Sequence, residues 1–226
     1  MIITVDGPVA SGKSTVAARV AQKLGFSFVS TGAMFRSLAW GMIQEGIDRR
    51  DERAVESFCA SHTIEMKKVG NTNHFFCDGK EATAFLSLLE VAQGSSIIST
   101  YSFVRNKLAD LQRQIGKTKD SVFEGRDMGS VIFPDAFLKI YLEASFTVRA
   151  HRRFLELSDQ AGGSPLPEEE LAEEIQKRDV RDKQRKLSPL KPALDAIIID
   201  TTNLSIDQVV DQIVVLFREK YALQNR

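Results

Sequence analysis

Asp6-Gly7-Pro8-Val9-Ala10-Ser11-Gly12-Lys13-Ser14-Thr15 decides how this chain is read. Gly7, an intervening tetrapeptide, then Gly12, Lys13 and Ser14 fit the P-loop template. The apolar run Met1-Ile2-Ile3-Thr4-Val5 precedes it and a helical pattern follows, so the motif has the strand-to-helix context it requires. Glycines let backbone N–H groups turn around phosphate oxygens, and the unpaired amides and dipole of a helix N-terminus favour an anion. In such a loop Lys13 reaches the outer phosphates and Ser14 holds Mg2+. The stretch from Gly7 to Thr15 therefore predicts a bound nucleoside triphosphate and leaves the phosphate acceptor open.

Outward from the loop, composition sets the bounds. A chain of 226 residues buries a substantial apolar core without disulfides. Thirty basic and thirty acidic side chains cancel, which gives no global case for nucleic acid or an anionic membrane, so any anion site must be local. No apolar run nears the roughly 20 residues of a membrane span, and no leader pattern precedes the first strand; a cytoplasmic protein is the expectation. Cys59-Ala60-Ser61-His62 and His74-Phe75-Phe76-Cys77 resemble halves of a zinc site. Strand geometry opposes that reading, because His74 and Cys77 at an odd separation share a face only across a bulge.

The rest of the chain alternates strands and helices. Val16, Val20 and Leu24 recur at helical spacing before Gly25; Phe26-Ser27-Phe28-Val29 reads as a strand; Ser30-Thr31-Gly32-Ala33-Met34-Phe35-Arg36 reads as a polar turn entering a helix. Ligands of open α/β sheets gather beyond the carboxyl ends of strands, which puts Thr31 and Arg36 on the P-loop side, although Arg36 taken alone reads more readily as a surface residue than as a ligand. After a helix near 51–62, alternation at 63–69, a turn at 70–73 and the hairpin pair Asp78-Gly79 predict a small antiparallel insert. Helical patterns with Leu88, Leu89, Val91 and Ala92, then with Val104, Leu108 and Leu111, flank Ser95-Ser96-Ile97-Ile98. Arg105, near the start of its helix, gains nothing from the dipole and asks for a partner elsewhere; a solvated arginine is the other reading. Ser121-Val122-Phe123-Glu124 is a strand running into Gly125-Arg126-Asp127-Met128-Gly129, where an α/β enzyme exposes functional groups. Strands at 137–142 and 197–200 and a helix at 206–221 complete the pattern.

Between these last strands lies a charged stretch. Arg149, His151, Arg152 and Arg153 open a helix, glycines and prolines at 162–167 break it, and a second helix runs from Glu168 through Arg185 with few apolar residues. At 100° per residue Arg178, Arg181, Asp182 and Arg185 share one face. Arg181 and Arg185 lack an acid four residues away, so a polyphosphate across the stripe would relieve their repulsion, and the flanking breakers suggest a hinged lid. The bland reading is a solvated helix.

No Ser/His/acid arrangement stands out, and the histidines are scattered. An acceptor that is itself a phosphate is largely deprotonated at neutral pH and needs no general base, only cations that let two polyanions approach. Together the P-loop, Thr31-Gly32-Ala33-Met34-Phe35-Arg36, Gly125-Arg126-Asp127-Met128-Gly129, Arg178-Asp179-Val180-Arg181-Asp182-Lys183-Gln184-Arg185 with Ser188-Pro189-Leu190, and Asp200-Thr201-Thr202-Asn203-Leu204-Ser205-Ile206 resemble the bacterial cytidylate kinases over nearly the whole chain. That resemblance implies an α/β P-loop kinase: a parallel sheet flanked by helices, an acceptor-binding subdomain with the antiparallel insert, and a helical lid. It implies core segments at 1–30, 112–148 and 190–226, an NMP-binding region at 31–111 with the insert near 63–84, and a lid at 149–189. It also implies transfer of the γ-phosphoryl of Mg-ATP to CMP or dCMP by a monomer with no nucleic-acid or membrane partner. Thr31, Arg105 and Asp127 match residues that read cytosine, Ser96, Arg178 and Asp182 those that hold the sugar, and Arg36, Arg126 and Arg185 those that bind the acceptor phosphate. Lys13, Arg126, Arg178 and Arg185 are the expected catalytic cations, and Arg149 and Arg153 flank the donor's adenine. Ser30 stands where the family has Asp, Phe35 where it has Tyr, and Glu124, the candidate for reaching Mg2+ through water, where it has Asp.

Two rival readings are a kinase acting on UMP or another monophosphate, and a P-loop GTPase. Asn106-Lys107-Leu108-Ala109-Asp110 has one residue too many for a guanine-reading motif, and Asp159-Gln160-Ala161-Gly162 has switch-like spacing but lies between helices.

Overall fold

The computed structural model describes residues 1–70, 72–158 and 166–224. The glycine-proline break at 162–165 and the Asp159 to Gly162 motif lie outside the described residues. In chain order the elements are β1 (Ile2–Asp6), α1 (Lys13–Leu24), β2 (Ser27–Ser30), α2 (Thr31–Gln44), α3 (Glu52–Ser61), β3 (Ile64–Val69), β4 (Thr72–Cys77) and β5 (Lys80–Glu81). There follow α4 (Leu89–Ile98), α5 (Ser102–Gly116), β6 (Ser121–Gly125), β7 (Leu138–Glu143), α6 (Phe146–Ser158), α7 (Glu168–Gln184), β8 (Ile197–Asp200) and α8 (Ile206–Gln224). They divide into two compact units, Met1–Phe28 with Lys119–Arg226, and Val29–Thr118.

The first unit is built on a sheet of order β2-β6-β1-β7-β8. Its central strands are apolar on both faces because helices cover both sides of a parallel sheet. Ile3, Val5, Val122, Ile140 and Leu142 are buried there against Val16, Ala17 and Val20 of α1 and Val209, Val210 and Ile213 of α8. The rings of Phe26 and Phe217 close that layer edge to face at 5.5 Å. Parallel register pairs Asp6 with Gly125 and with Tyr141, so the loops after β1, β6 and β7 leave the sheet at one edge. Any ligand of this unit belongs there.

In the second unit α2 buries Met34, Leu38 and Met42 and packs against α4, α5 and the insert. The insert's register runs unbroken from Ile64↔Cys77 to Val69↔Thr72, which leaves His74 and Cys77 on opposite faces. Asp78 and Gly79 join β4 to β5 with φ of 47° and 72°, the paired positive values of a type I′ turn. Both insert-associated histidines have protein partners: His74 Nδ1 lies 2.6 Å from Glu81, and His62 stacks on Phe58 with Nε2 2.9 Å from Glu45. Among the described residues no cluster of ligands suited to a metal is found, and no helix is long and apolar enough to cross a membrane.

The structure corrects several local expectations. No turn separates β2 from α2, because Ser30 ends the strand and its Oγ accepts from Ala33 N at 3.3 Å as the helix cap. Ser95 to Ile98 belong to α4 rather than to a separate segment. The last helix continues to Gln224, and α7 stops at Gln184, one residue before Arg185.

Candidate active site

The loop after β1 is shaped from outside. A Cβ on Gly7, where φ is 156°, would collide with the Leu142 carbonyl at the end of β7, so only glycine lets the strands approach so closely. Side chains hold its carbonyls: Lys13 Nζ donates to Pro8 O at 3.0 Å, Arg149 Nη1 to Val9 O at 3.1 Å and Thr201 Oγ1 to Ser11 O at 3.3 Å. Burial, aided by the Arg126 charge, drives the Lys13 ammonium down to about 7. Such a cation gains most from a ligand that brings negative charge. Ser14 and Thr15 are exposed in the first turn of α1, and Glu124 is buried at the end of β6, where its charge supports that of Lys13. Asp6 is buried too, and desolvation raises its carboxyl to about 7 although Gly129 N and Met128 N donate to it.

Asp182 is the hub of a second cluster. Arg126 Nε donates to its Oδ2 at 3.0 Å, and Arg185 Nη1 lies 3.6 Å from its Oδ1. Burial opposes ionisation of Asp182, yet Arg126, Arg178 and Arg185 together hold its pKa below the ordinary value. Arg185 does not continue the α7 stripe: it has no acid four residues away, as expected, but it reaches Asp182 three residues back. Arg185 has left the helix at φ −55° and ψ 134°, turned back by Leu190 N donating to Asp182 O at 2.8 Å and by its own Nη2 donating to Ser188 O at 2.8 Å. Nor is α7 merely a solvated face, since Leu171, Ile175 and Asp179 are buried and the helix packs on α6. Arg149, expected to flank the donor's adenine, donates to Ala144 O and Val9 O and pairs with Asp179 at 2.7 Å. Arg153 pairs with Glu156 at 2.8 Å.

Asp127 follows Arg126 and is buried. Its backbone takes the unusual pair φ −144°, ψ 21°, and its carbonyl accepts from Val131 N at 2.9 Å and Ile132 N at 3.2 Å as the π-helical turn Met128–Ile132 begins.

The remaining candidates belong to the second unit. Thr31 is the buried first residue of α2, Arg36 is half-buried one turn on, and Ser96 is buried on α4. Arg105 is buried rather than solvated: its Nη1 donates to Ser99 O at 3.3 Å and its guanidinium lies 5.7 Å from the Phe35 ring. Phe35 thus keeps an aromatic face for that arginine without a hydroxyl. The structure gathers Lys13, Glu124, Arg126, Arg178, Asp182 and Arg185 in one unit and Thr31, Arg36, Ser96 and Arg105 in the other. Reading of the sequence missed Asp6 and Asp179; the only local signal for Asp6 is an acid at the end of an otherwise apolar strand.

Comparisons with known proteins agree. A model of the family described as Cytidylate kinase matches residues 3–219. A cytidylate kinase of Protochlamydia amoebophila (strain UWE25) is 42% identical over 215 residues, covering 94% of each chain. One of Desulfitobacterium hafniense (strain Y51) is 41% identical over 218 residues, covering 96% of this chain and 93% of its own. A crystal structure of an uncharacterized protein from Eubacterium ventriosum ATCC 27560 shares the fold at a TM-score of 0.50 and 13% identity, covering 97% of this chain and 98% of that one. With a glycine-rich loop of P-loop form after β1, a carboxylate-gathered arginine cluster in the same unit and a family match over nearly its whole length, this chain belongs to the cytidylate kinase family.

Proposed function

We propose that this chain transfers the γ-phosphoryl group of ATP to CMP or dCMP, giving ADP and CDP or dCDP. The observation that carries the reading is the buried Lys13 on a P-loop-form turn, its Nζ on Pro8 O, in a chain whose family match runs over residues 3–219. A phosphate oxygen of the acceptor attacks the γ-phosphorus, a new O–P bond forms, and the bond from γ-phosphorus to the bridging oxygen breaks with its electrons passing to ADP. No side chain needs to remove a proton, because the acceptor phosphate is already largely dianionic.

The loop amides and Lys13 hold the donor's phosphates. Arg149 keeps the loop in shape through Val9 O. The Ser14 hydroxyl and, through water, the Glu124 carboxylate are hard oxygen donors that would hold Mg2+, which would supply charge neutralisation at the donor's phosphates. Arg36, Arg126 and Arg185 take the acceptor phosphate, Ser96, Arg178 and Asp182 the sugar, and Thr31, Arg105 and Asp127 the base. Asp182 now holds Arg126 and Arg185 on its two oxygens. An arriving phosphate competes for those guanidinium groups and releases the carboxylate to a sugar hydroxyl, so no charge is left buried alone. A carboxylate at Asp127 accepts from the cytosine 4-amino group and repels the uracil oxygen. The absence of net charge gives no global attraction for nucleic acid, and the reading is of a monomer that acts in the cytoplasm on small anions.

The test is a coupled assay of ADP release with Mg-ATP and one nucleoside monophosphate at a time. Turnover is expected with CMP and dCMP at a kcat/KM at least about tenfold above UMP. Equal use of UMP would overturn the base assignment, and preference for a purine monophosphate would overturn the reading.

A further inference from the structure

We propose that Asp6 is a positioning residue for acceptor selection, acting through the backbone that carries Asp127. It stands at the end of β1, and both of its carboxylate oxygens are engaged by consecutive amides: Oδ1 accepts from Met128 N at 3.0 Å and Oδ2 from Gly129 N at 2.8 Å. These amides directly follow Asp127, whose own carbonyl is taken by Val131 N and Ile132 N. The peptide group that joins Asp127 to Met128 is thus held at both ends, its N–H by Asp6 and its C=O by the amides of the π-helical turn, next to the unusual backbone of Asp127.

The floor beneath the clamp admits little adjustment. Thr4 and Lys139 are register partners on β1 and β7, and Gly129 lies across them so closely that a Cβ would meet Thr4 Oγ1 at 2.8 Å and Lys139 Cδ at 3.3 Å. Thr4 lies two residues before Asp6 and so shares its face of β1. Glycine at 129 sets how near the segment comes, and the carboxylate at 6 sets where along the strand it is held. Because the grip is bidentate on neighbouring amides, losing one contact lets the segment rotate about the other, which moves the Asp127 carboxylate without unfolding anything. Asp6→Asn does this at nearly constant volume: its carbonyl oxygen still accepts one amide, while its NH2 meets the other donor to donor.

The inference rests on the assignment of Asp127 to base reading, and the experiment separates the two. Steady-state kinetics with CMP and UMP are measured for the wild type, D6N, D127A and the double variant, with KM for ATP measured alongside. The CMP-to-UMP ratio of kcat/KM is expected to fall about tenfold in D6N, with KM for ATP within about threefold of wild type. D6N is expected to add nothing further to that ratio in the D127A background, since one residue acts through the other. An unchanged ratio in D6N, additive losses in the double variant, or a rise in KM for ATP that matches the loss with CMP would overturn the proposal. If the wild type shows no CMP preference, or D127A keeps it, the base-reading assignment fails instead. Amide hydrogen exchange in the wild type is a second measurement that does not depend on the variants folding. Met128 and Gly129 are expected to be strongly protected, and exchange at the rate of free peptide would overturn the clamp.

Discussion

Burial moves Lys13 and Asp6 toward the same pH from opposite sides, the ammonium down to about 7 and the carboxyl up to about 7. Lys13 is a cation that the protein accommodates poorly until a polyphosphate arrives, whereas Asp6 already has two amide donors and is raised because desolvation outweighs them. For Asp6 the linkage to stability has a definite sign. A carboxyl with a raised folded pKa contributes stability that is complete below its ordinary value of 3.8 and disappears as the pH rises through about 7. The urea midpoint of the wild type relative to D6N is therefore expected to decline steadily from pH 4 to pH 7. A difference that stays flat or grows over that window would mean the carboxyl is not held in a desolvated site. Lys13 was legible in the sequence because the loop's chemistry is written in adjacent residues. Asp6 was not, because its partners lie 122 and 123 residues away and nothing near Asp6 names them. Arg105 shows the same limit: its position on a helix was readable, its burial against Phe35 and Ser99 was not.

At the scale of elements, α7 carries the strongest departure from a sequence pattern. Helical periodicity places Arg185 on the stripe of Arg178 and Asp182, and the structure reaches a similar convergence by ending the helix and folding Arg185 back onto Asp182. The contacts that turn it, Leu190 N to Asp182 O and Arg185 Nη2 to Ser188 O, form between the helix end and the segment beyond it, which periodicity does not describe. The β4–β5 hairpin is the opposite case, since its turn depends only on the φ values that Asp78 and Gly79 tolerate, and it was read correctly. The arginine cluster yields its own prediction. Arg185→Ala removes one of the cations around Asp182 but leaves Arg126 bonded to that carboxylate, so the fold should hold while kcat falls by about 10²-fold or more. Circular dichroism and thermal melting check the first part and turnover with CMP the second. Near-normal turnover would show that the cluster serves only to fasten α7.

For the whole molecule, zero net charge turns the anion problem into one of placement. The first unit carries the loop, Lys13 and the Asp182 cluster toward the carboxyl edge of its parallel sheet; the second carries Thr31 and Arg36 on α2, Ser96 on α4 and Arg105 on α5. The sheet, its flanking helices and the insert were readable because each is patterned locally, by strand alternation, helical period and turn chemistry. The arginine stripe of α7 pointed to a polyphosphate by its spacing, but the separate roles of the arginines were readable only through family resemblance, since a lone arginine on a helix is as easily solvent-facing as functional. In the proposed reaction the phosphoryl group passes to the acceptor's phosphate and not to water. Phosphorus NMR of the enzyme with Mg-ATP and CMP tests this directly. The resonances of CDP and ADP are expected to grow together as those of ATP and CMP decline, with negligible inorganic phosphate. Growth of inorganic phosphate with CMP unchanged, or an unaltered spectrum, would contradict it.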